Sequence, residues 1–233
     1  MGKACLSITL ALALAGCSGG APTPAPTGEQ SSIPDEVPVM GPERRILAFG
    51  DSLFAGYGLG DGQGYPAKLE AALRARGVNA RLIDAAVSGD TSAAGLARLE
   101  FTLDNIGEPP ELVLVELGGN DLLRGLSPLE TRANLAAILQ ELSDRNIAAL
   151  LVGMRAPPNL GVTFQQEFDE IYPALAQQYE VPLVPFFLEP VYDKPDLMQG
   201  DRIHPTALGI EELVASTADD VAGALPEVEE GSS

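Results

Sequence analysis

The feature that most constrains the fold of this chain is an alternation of short apolar segments with longer amphipathic ones. The short segments predict β-strands at residues 46–49, 81–85, 112–117, 148–154 and 183–186. The longer segments predict helices at residues 65–76, 93–103, 128–144, 164–179 and 205–224. Apolar strands separated by helices are typical of parallel sheets that are covered on both faces. Because the crossovers of such sheets are right-handed, the pattern predicts an α/β fold, a three-layer α/β/α sandwich around a five-stranded parallel sheet.

The N-terminus has the pattern of an export signal. Residues 1–16 contain one basic residue, Lys3, and then an apolar run that is too short to span a membrane. The run ends in Leu-Ala-Gly before Cys17, a sequence that resembles the lipobox of bacterial lipoproteins. We therefore expect residues 1–16 to be a lipoprotein signal peptide and Cys17 to be the lipidated N-terminus. The other cysteine, Cys5, would be removed with the signal, so Cys17 has no disulfide partner in the mature chain.

Two further segments lack apolar periodicity. Residues 17–42 are rich in Pro, Gly, Ser and Thr and predict a disordered tether. Residues 226–233 predict a short, acidic, disordered tail. The folded domain is therefore expected at residues 43–225.

The charge and the residue counts exclude several classes of function. A formal net charge of -19 gives no electrostatic support for binding nucleic acid. One histidine and two cysteines cannot supply the ligands of a typical zinc site, so no metal is expected. The chain also lacks the glycine patterns of phosphate-binding and dinucleotide-binding loops, so no cofactor is expected.

Parallel sheets of this kind have their sites at the carboxyl ends of the strands. Polar and glycine-rich segments follow the predicted strands at residues 50–53, 87–90, 118–121, 154–159 and 201–205. Ser52 follows the first strand directly, with Gly50 two positions before it, so the turn can present its hydroxyl at the edge of the sheet. A site that transfers acyl groups also needs a base, a group that orients the base, and donors for the oxyanion.

The single histidine of the chain, His204, is the candidate base for Ser52 as nucleophile. Asp201 lies three residues earlier, where a carboxylate can reach the other ring nitrogen and orient the imidazole. For the oxyanion we expect the backbone N–H groups of Ser52 and Gly89 and the side-chain amide of Asn120.

The loop after the fourth strand supplies candidates for an acyl pocket. They are Arg155, Ala156, Pro157 and Asn159. Two arrangements remain open for this loop, since it could line the pocket or pack against the strand ends.

These segments resemble the four blocks of the SGNH or GDSL hydrolases, in the order Ser52, Gly89, Asn120 and His204. Gly-Asp-Ser-Leu-Phe-Ala-Gly-Tyr-Gly-Leu from Gly50 and Glu-Leu-Gly-Gly-Asn-Asp at residues 116–121 are similar to the TesA-like branch. The resemblance implies a flavodoxin-like SGNH hydrolase fold and the activity of an acyl-CoA thioesterase, lysophospholipase or arylesterase. The chain lacks the Gly-x-Ser-x-Gly elbow of ordinary α/β-hydrolases.

The expected function is therefore hydrolysis of aryl esters, lysophospholipids or fatty-acyl thioesters through an acyl-enzyme. One alternative is an O-acetylesterase acting on envelope carbohydrate, and another is a catalytically silent, lipid-binding lipoprotein. The expected partners are a small acyl ester or lysolipid and, through the lipid anchor, a membrane, with no obligate protein partner. The expected location is the bacterial envelope, on a membrane that faces the periplasm, with Ser18 after the cysteine favouring the outer membrane.

Overall fold

The computed structural model describes residues 39–228. The predicted signal peptide, Cys17, most of the predicted tether and the last five residues of the predicted tail lie outside the described residues. The strands are β1 Arg44–Gly50, β2 Ala80–Asp84, β3 Leu112–Glu116, β4 Ala148–Val152 and β5 Leu183–Val184. The helices are α1 Ser52–Ala55, α2 Tyr65–Ala75, α3 Ser92–Asn105, α4 Gly119–Leu123, α5 Pro128–Asp144, α6 Val162–Asp169, α7 Ile171–Tyr179 and α8 Ala207–Ala224. Short 3₁₀ turns occur at Pro158–Leu160 and Pro195–Leu197.

The five strands form one parallel sheet in the order β2-β1-β3-β4-β5. This is the strand order of flavodoxin-like folds, so the predicted α/β class and sheet are confirmed. The register pairs Gly50 with Glu116, and Glu116 with Val152. The carboxyl ends of the three central strands therefore lie level, and the loops that follow them open at one edge of the sheet.

Helices cover the sheet in two groups. Helix α2 packs against α8, while α5 packs against both α3 and α7. Every residue of the central strand β3 is buried, because helices lie over both of its faces. The aromatic side chains of Phe54, Tyr65 and Phe187 pack together in the core, with the first two rings stacked at 4.8 Å between centroids. This cluster fixes the first turn after β1 to the body of the domain.

The helix predicted at residues 164–179 is wrong, because the structure has two helices there, α6 and α7, with Glu170 between them. Pro173 accounts for the break: it has no N–H to donate to the carbonyl of Asp169, and in a continuous helix its ring would clash with that carbonyl. A proline is tolerated in the first turn of a helix, which is where Pro173 lies in α7. Within residues 39–228, no helix is both long and apolar enough to cross a membrane.

Candidate active site

The turn that carries Ser52 is built from β1 and the short helix α1. Ser52 is the first residue of α1, and the carboxylate of Asp51 caps the helix by accepting from the backbone N–H of Leu53 at 3.0 Å. Gly50 has to be glycine, because a Cβ there would lie 2.8 Å from Oε2 of Glu116 and 2.9 Å from the ring of Phe54. After one turn the helix ends at Gly56, which has the left-handed φ of 69° that favours glycine. The hydroxyl of Ser52 is thereby held at the edge of the sheet.

Two buried carboxyl groups lie beneath this turn. Glu116, at the end of β3, is fully buried, and its Oε2 accepts from the backbone N–H of Asp51 at 3.2 Å. Asp51 is also buried and accepts from Nδ2 of Asn120 at 2.9 Å. Burial, reinforced by the charge of Asp51, raises the pKa of Glu116 well above its ordinary value. Burial also raises the pKa of Asp51, but hydrogen bonds from Leu53 and Asn120 oppose that rise, so the protonated form is favoured more strongly at Glu116 than at Asp51.

The predicted base reaches the predicted nucleophile. Nε2 of His204 lies 2.9 Å from Oγ of Ser52, although 152 positions separate the two residues in the sequence. Nδ1 of His204 lies 2.7 Å from Oδ2 of Asp201. Since a carboxylate only accepts, Nδ1 carries the proton of the neutral ring, and Nε2 is left to accept from the serine hydroxyl.

Asp201 also fixes the backbone of its own loop. Its Oδ1 accepts from the backbone N–H groups of Ile203, at 2.9 Å, and of His204, at 3.0 Å. The hydrogen bond to the His204 ring and these two backbone bonds lower the pKa of Asp201 to about 2. The residue is therefore ionised at neutral pH, as an orienting carboxylate has to be.

The backbone of Arg202 and three contacts made by Gln199 and Tyr57 hold this loop in position. Arg202 has a left-handed φ of 58°, which is uncommon for a residue other than glycine and turns the chain between Asp201 and His204. Gln199 donates from Nε2 to the carbonyl oxygens of Tyr57, at 2.7 Å, and of Pro205, at 2.9 Å. The ring of Tyr57 lies against the imidazole of His204, with 4.5 Å between their centroids.

The predicted oxyanion donors lie on loops from neighbouring strands. Asn120 lines the same cavity as Ser52, and its amide is oriented by Asp51. Gly89 has a φ of 88°, and its carbonyl accepts from the guanidinium of Arg124 at 2.7 Å. It is not among the residues that line the cavity.

A buried network joins the Gly89 loop to the Asn120 loop. The carboxylate of Asp121 accepts from the backbone N–H of Ser92 at 2.7 Å, from its hydroxyl, and from the hydroxyl of Thr131 at 3.1 Å. Asn134 donates in turn to the hydroxyl of Ser92 at 3.0 Å. Helices α3, α4 and α5 are therefore pinned to one another immediately behind the site.

A second set of bonds ties the Gly89 loop to β1. The guanidinium of Arg98 donates to Asp90, at 2.6 Å, and to the carbonyl oxygens of Ala85 and Gly50. The same guanidinium lies 4.0 Å from the centre of the Phe49 ring. The position of the Gly89 loop relative to Ser52 is therefore fixed by a side chain of α3.

A cavity of 220 Å³ opens beside Ser52. Its lining is mainly apolar and includes Leu53, Leu122, Met154, Phe186, Leu188 and Tyr192. Of the candidates for an acyl pocket, Arg155 and Pro157 line this cavity, whereas Ala156 and Asn159 do not. Ala156 is buried, with its N–H bonded to Asp169 at 2.7 Å, and it borders a neighbouring concavity. The loop therefore lines the cavity with Arg155 and Pro157, while Ala156 is buried and bonded to α6.

The sequence prediction missed the residues that support the site. Glu116, Asp121 and Tyr57 occur in the sequence blocks quoted above, but their contacts, like those of Arg98 and Gln199, are with residues far away in the sequence. One signal was available, because Glu116 is a charged residue at the end of an otherwise apolar strand. Among residues 39–228, no group of three or more His, Cys, Asp or Glu side chains is placed to hold a metal ion.

A sandwich of this strand order, with a serine, a histidine and an aspartate in hydrogen-bond contact at the carboxyl edge, defines a serine hydrolase of acyl esters or thioesters. The chain belongs to the GDSL-like lipase/acylhydrolase family, whose sequence profile matches residues 48–211. The resemblance inferred from the four sequence blocks is thereby confirmed.

Named relatives agree with this assignment. Esterase TesA of Pseudomonas aeruginosa is 44% identical over 160 residues, which are 69% of this chain and 79% of that protein. Thioesterase 1/protease 1/lysophospholipase L1 of Escherichia coli strain K12 is 45% identical over 160 residues, 69% of this chain and 74% of that protein. The crystal structure of AlinE4, an SGNH-hydrolase family esterase, matches with 65% identity and a TM-score of 0.69, covering 81% of this chain and 100% of that one.

Proposed function

We propose that the chain hydrolyses acyl esters through a covalent acyl-enzyme on Ser52, with His204 as general base and Asp201 as its orienting carboxylate. The observation that carries the proposal is the continuous contact from Oγ of Ser52 to Nε2 of His204, at 2.9 Å, and from Nδ1 to Asp201, at 2.7 Å. These distances lie within the range required of a nucleophile and its base.

In the proposed mechanism, Nε2 of His204 takes the hydroxyl proton as Oγ of Ser52 attacks the ester carbonyl. The imidazolium that forms is stabilised by ionised Asp201 and then protonates the leaving alcohol. A water molecule, activated by the same histidine, hydrolyses the acyl-enzyme and regenerates Ser52. The reaction needs no cofactor.

The developing oxyanion would be held by the backbone N–H groups of Ser52 and Gly89 and by Nδ2 of Asn120. One N–H of that amide donates to Asp51, at 2.9 Å, which orients the other. Donors that are fixed before the reaction are effective because they need no reorganisation as charge develops. This role for Asp51 explains why a carboxyl group is retained in a buried position beside the nucleophile.

We propose aryl esters, lysophospholipids and fatty-acyl thioesters as substrates. The mainly apolar cavity beside Ser52 suits an acyl chain. Relatives with these activities in their names support the range, namely the Escherichia coli thioesterase and lysophospholipase and an arylesterase of Vibrio mimicus that is 41% identical over 161 residues.

The proposed location is the periplasmic face of a bacterial membrane, with the outer membrane favoured. The support is the signal-like segment before Cys17 and the proline-rich segment after it. Labelling of cells with a palmitate analogue tests the anchor: label should enter the wild-type chain and be absent from Cys17→Ser. Label in neither chain would contradict lipidation.

Hydrolysis of p-nitrophenyl esters from acetate to palmitate, by the purified chain and by Ser52→Ala, tests the activity. We expect Ser52→Ala to lose activity on every ester and the wild type to prefer medium or long chains. A preference confined to acetate would instead favour the carbohydrate O-acetylesterase. Equal rates for wild type and Ser52→Ala would contradict the acyl-enzyme.

A further inference from the structure

Arg202 lies between Asp201 and His204 in the sequence, and its guanidinium is available to bind a ligand. Among residues 39–228, no hydrogen bond or ion pair engages this guanidinium. The other arginines near the site are occupied: Arg155 is 3.6 Å from the carboxylate of Asp169, Arg124 donates to Gly89, and Arg98 is paired with Asp90. Arg202 is exposed, so its guanidinium can meet a ligand that arrives from solvent.

Arg202 borders two adjoining concavities. One is the 220 Å³ cavity that contains Ser52. The other, of 480 Å³, is lined by Tyr192, Asp193, Pro195, Gln199 and Gly200 in addition to Met198 and Arg202. Tyr192, Met198 and Arg202 line both, so the two spaces adjoin at these three side chains.

The chemistry of ester cleavage decides which part of the substrate each space receives. The imidazole that takes the proton of Ser52 must deliver it to the leaving oxygen, so the leaving group lies on the His204 side of the site. Arg202, two residues from His204 in the sequence, lines the 480 Å³ concavity, so this concavity is the one assigned to the leaving group. The acyl chain then binds in the apolar part of the cavity, next to Met154 and Phe186.

We infer that Arg202 is a specificity-determining residue that selects acyl esters whose leaving alcohol carries an oxyanion, a phosphate or a carboxylate. A guanidinium matches both groups, because its N–H donors can bind two oxygens at once. The inference rests on the proposed acyl-enzyme function. Arg202 takes no part in bond making: the Oγ–acyl bond forms, the ester C–O bond breaks, and the proton passes from Ser52 through His204 to the leaving alcohol.

Asp193 lines the same concavity and carries the opposite charge. Its carboxylate repels an anionic leaving group, so its removal should change the preference for anionic esters in the opposite direction. Replacement of Asp193 by Asn should raise the preference for anionic esters, whereas loss of the Arg202 charge should lower it.

The test compares three substrates with one acyl chain: dodecanoyl-glycerol phosphate, O-dodecanoyl lactate and neutral dodecanoyl-glycerol. The measured quantity is the ratio of kcat/KM for each anionic ester to that for the neutral one, in the purified full-length chain. Arg202→Asn removes the charge with a residue that tolerates the left-handed backbone, and Arg202→Lys retains the charge. Arg155→Gln is the matched control, because it removes a guanidinium from the acyl side of the cavity.

We expect Arg202→Asn to lower the ratio about tenfold, the effect of losing one hydrogen bond to a charged group, and Arg202→Lys to restore most of it. Arg155→Gln should leave the ratio unchanged, and added salt should lower it in the wild type. A fall for only one anionic ester would identify the phosphate or the carboxylate as the ligand. If Arg202→Asn does not fold, Arg202→Gly replaces it, since glycine adopts this φ without strain.

An unchanged ratio in the charge-removing variant would overturn the inference and leave the proposed function intact. Failure of the proposed function gives a different result, because Ser52→Ala would then hydrolyse all three esters at the wild-type rate.

Discussion

The two halves of the proposed active site are held in place by different means. The nucleophile half, Ser52 with Asp51 and Asn120, is fixed by strand ends and short helices and rests on buried carboxyl groups. The base half, Asp201 to His204, is a loop that hydrogen-bonds mainly to itself and contains a left-handed Arg202. Its first three residues are exposed, whereas the side chain of His204 is only 14% exposed. In the first half, the groups that position the catalytic side chain also stabilise the domain. In the second half, they contribute little to the stability of the domain.

The difference follows from burial. In the nucleophile half, removal of one polar group leaves buried donors without acceptors, which costs free energy of unfolding. In the base half, water replaces a lost partner, so the cost falls on orientation and hence on rate. This comparison makes distinct predictions for substitutions in each half.

The largest effect on rate is expected from the base half. His204→Ala should lower kcat by on the order of 10⁴-fold, since it removes the only imidazole able to take the proton of Ser52. The free energy of unfolding should change by under about 1 kcal/mol. Ester hydrolysis and thermal unfolding of the same preparation measure both quantities. A large loss of stability would contradict the proposed difference between the two halves. Retained activity would contradict the role of His204 as the base.

The largest effect on stability is expected behind the nucleophile half. Asp121→Ala leaves the N–H and hydroxyl of Ser92 and the hydroxyl of Thr131 without their buried acceptor, so it should cost about 3 kcal/mol of unfolding free energy. Asp201→Ala, the same substitution in the base half, should cost under about 1 kcal/mol while lowering activity. Urea unfolding compares the two. Equal costs would show that burial does not separate the halves.

The raised pKa of Glu116 predicts a dependence of stability on pH. Because its pKa in the folded chain is raised above the ordinary value of 4.5, the folded chain keeps a proton that the unfolded chain releases above that pH. The stability contributed by this group is complete below pH 4.5 and is lost as pH rises towards the pKa of the folded chain, at about 1.4 kcal/mol per pH unit.

Glu116→Gln has no proton to release, so its stability relative to the wild type should increase as pH rises from 5 to 8, at up to about that slope. Unfolding in urea at several pH values measures the difference. Glu212→Gln, which removes an exposed carboxylate from α8, is the control for net charge. A difference that stays constant with pH would mean that Glu116 is ionised in the folded chain.

The smallest effect on rate is expected from Tyr57, whose ring lies against the imidazole of His204. Tyr57→Leu should lower kcat about two- to fivefold, the loss expected when an aromatic contact with His204 of about 0.5–1 kcal/mol is removed. Tyr57→Phe keeps the ring and should retain the wild-type rate. Steady-state hydrolysis of one aryl ester compares the two variants. An equal fall in both would assign the effect to the hydroxyl.

Parts of this protein follow from the sequence because they depend on neighbours along the chain. Apolar periodicity specified the five strands and the parallel sheet, and the level strand ends that follow brought Ser52 and Asn120 to one edge. Asp201 and His204 are three residues apart, so one turn brings the carboxylate to the ring. The break between α6 and α7 is equally local, and Pro173 was the signal for it.

Tertiary structure alone decided the rest. The 2.9 Å contact between Ser52 and His204 joins residues 152 positions apart, and it depends on how α8, which follows the His204 loop, packs against α2 and β4. The raised pKa of Glu116 depends on complete burial beside Asp51, and the availability of the Arg202 guanidinium depends on which carboxylates surround it. Periodicity records whether a residue is buried, but a pKa or a hydrogen bond depends on the particular groups that packing brings within a few ångströms.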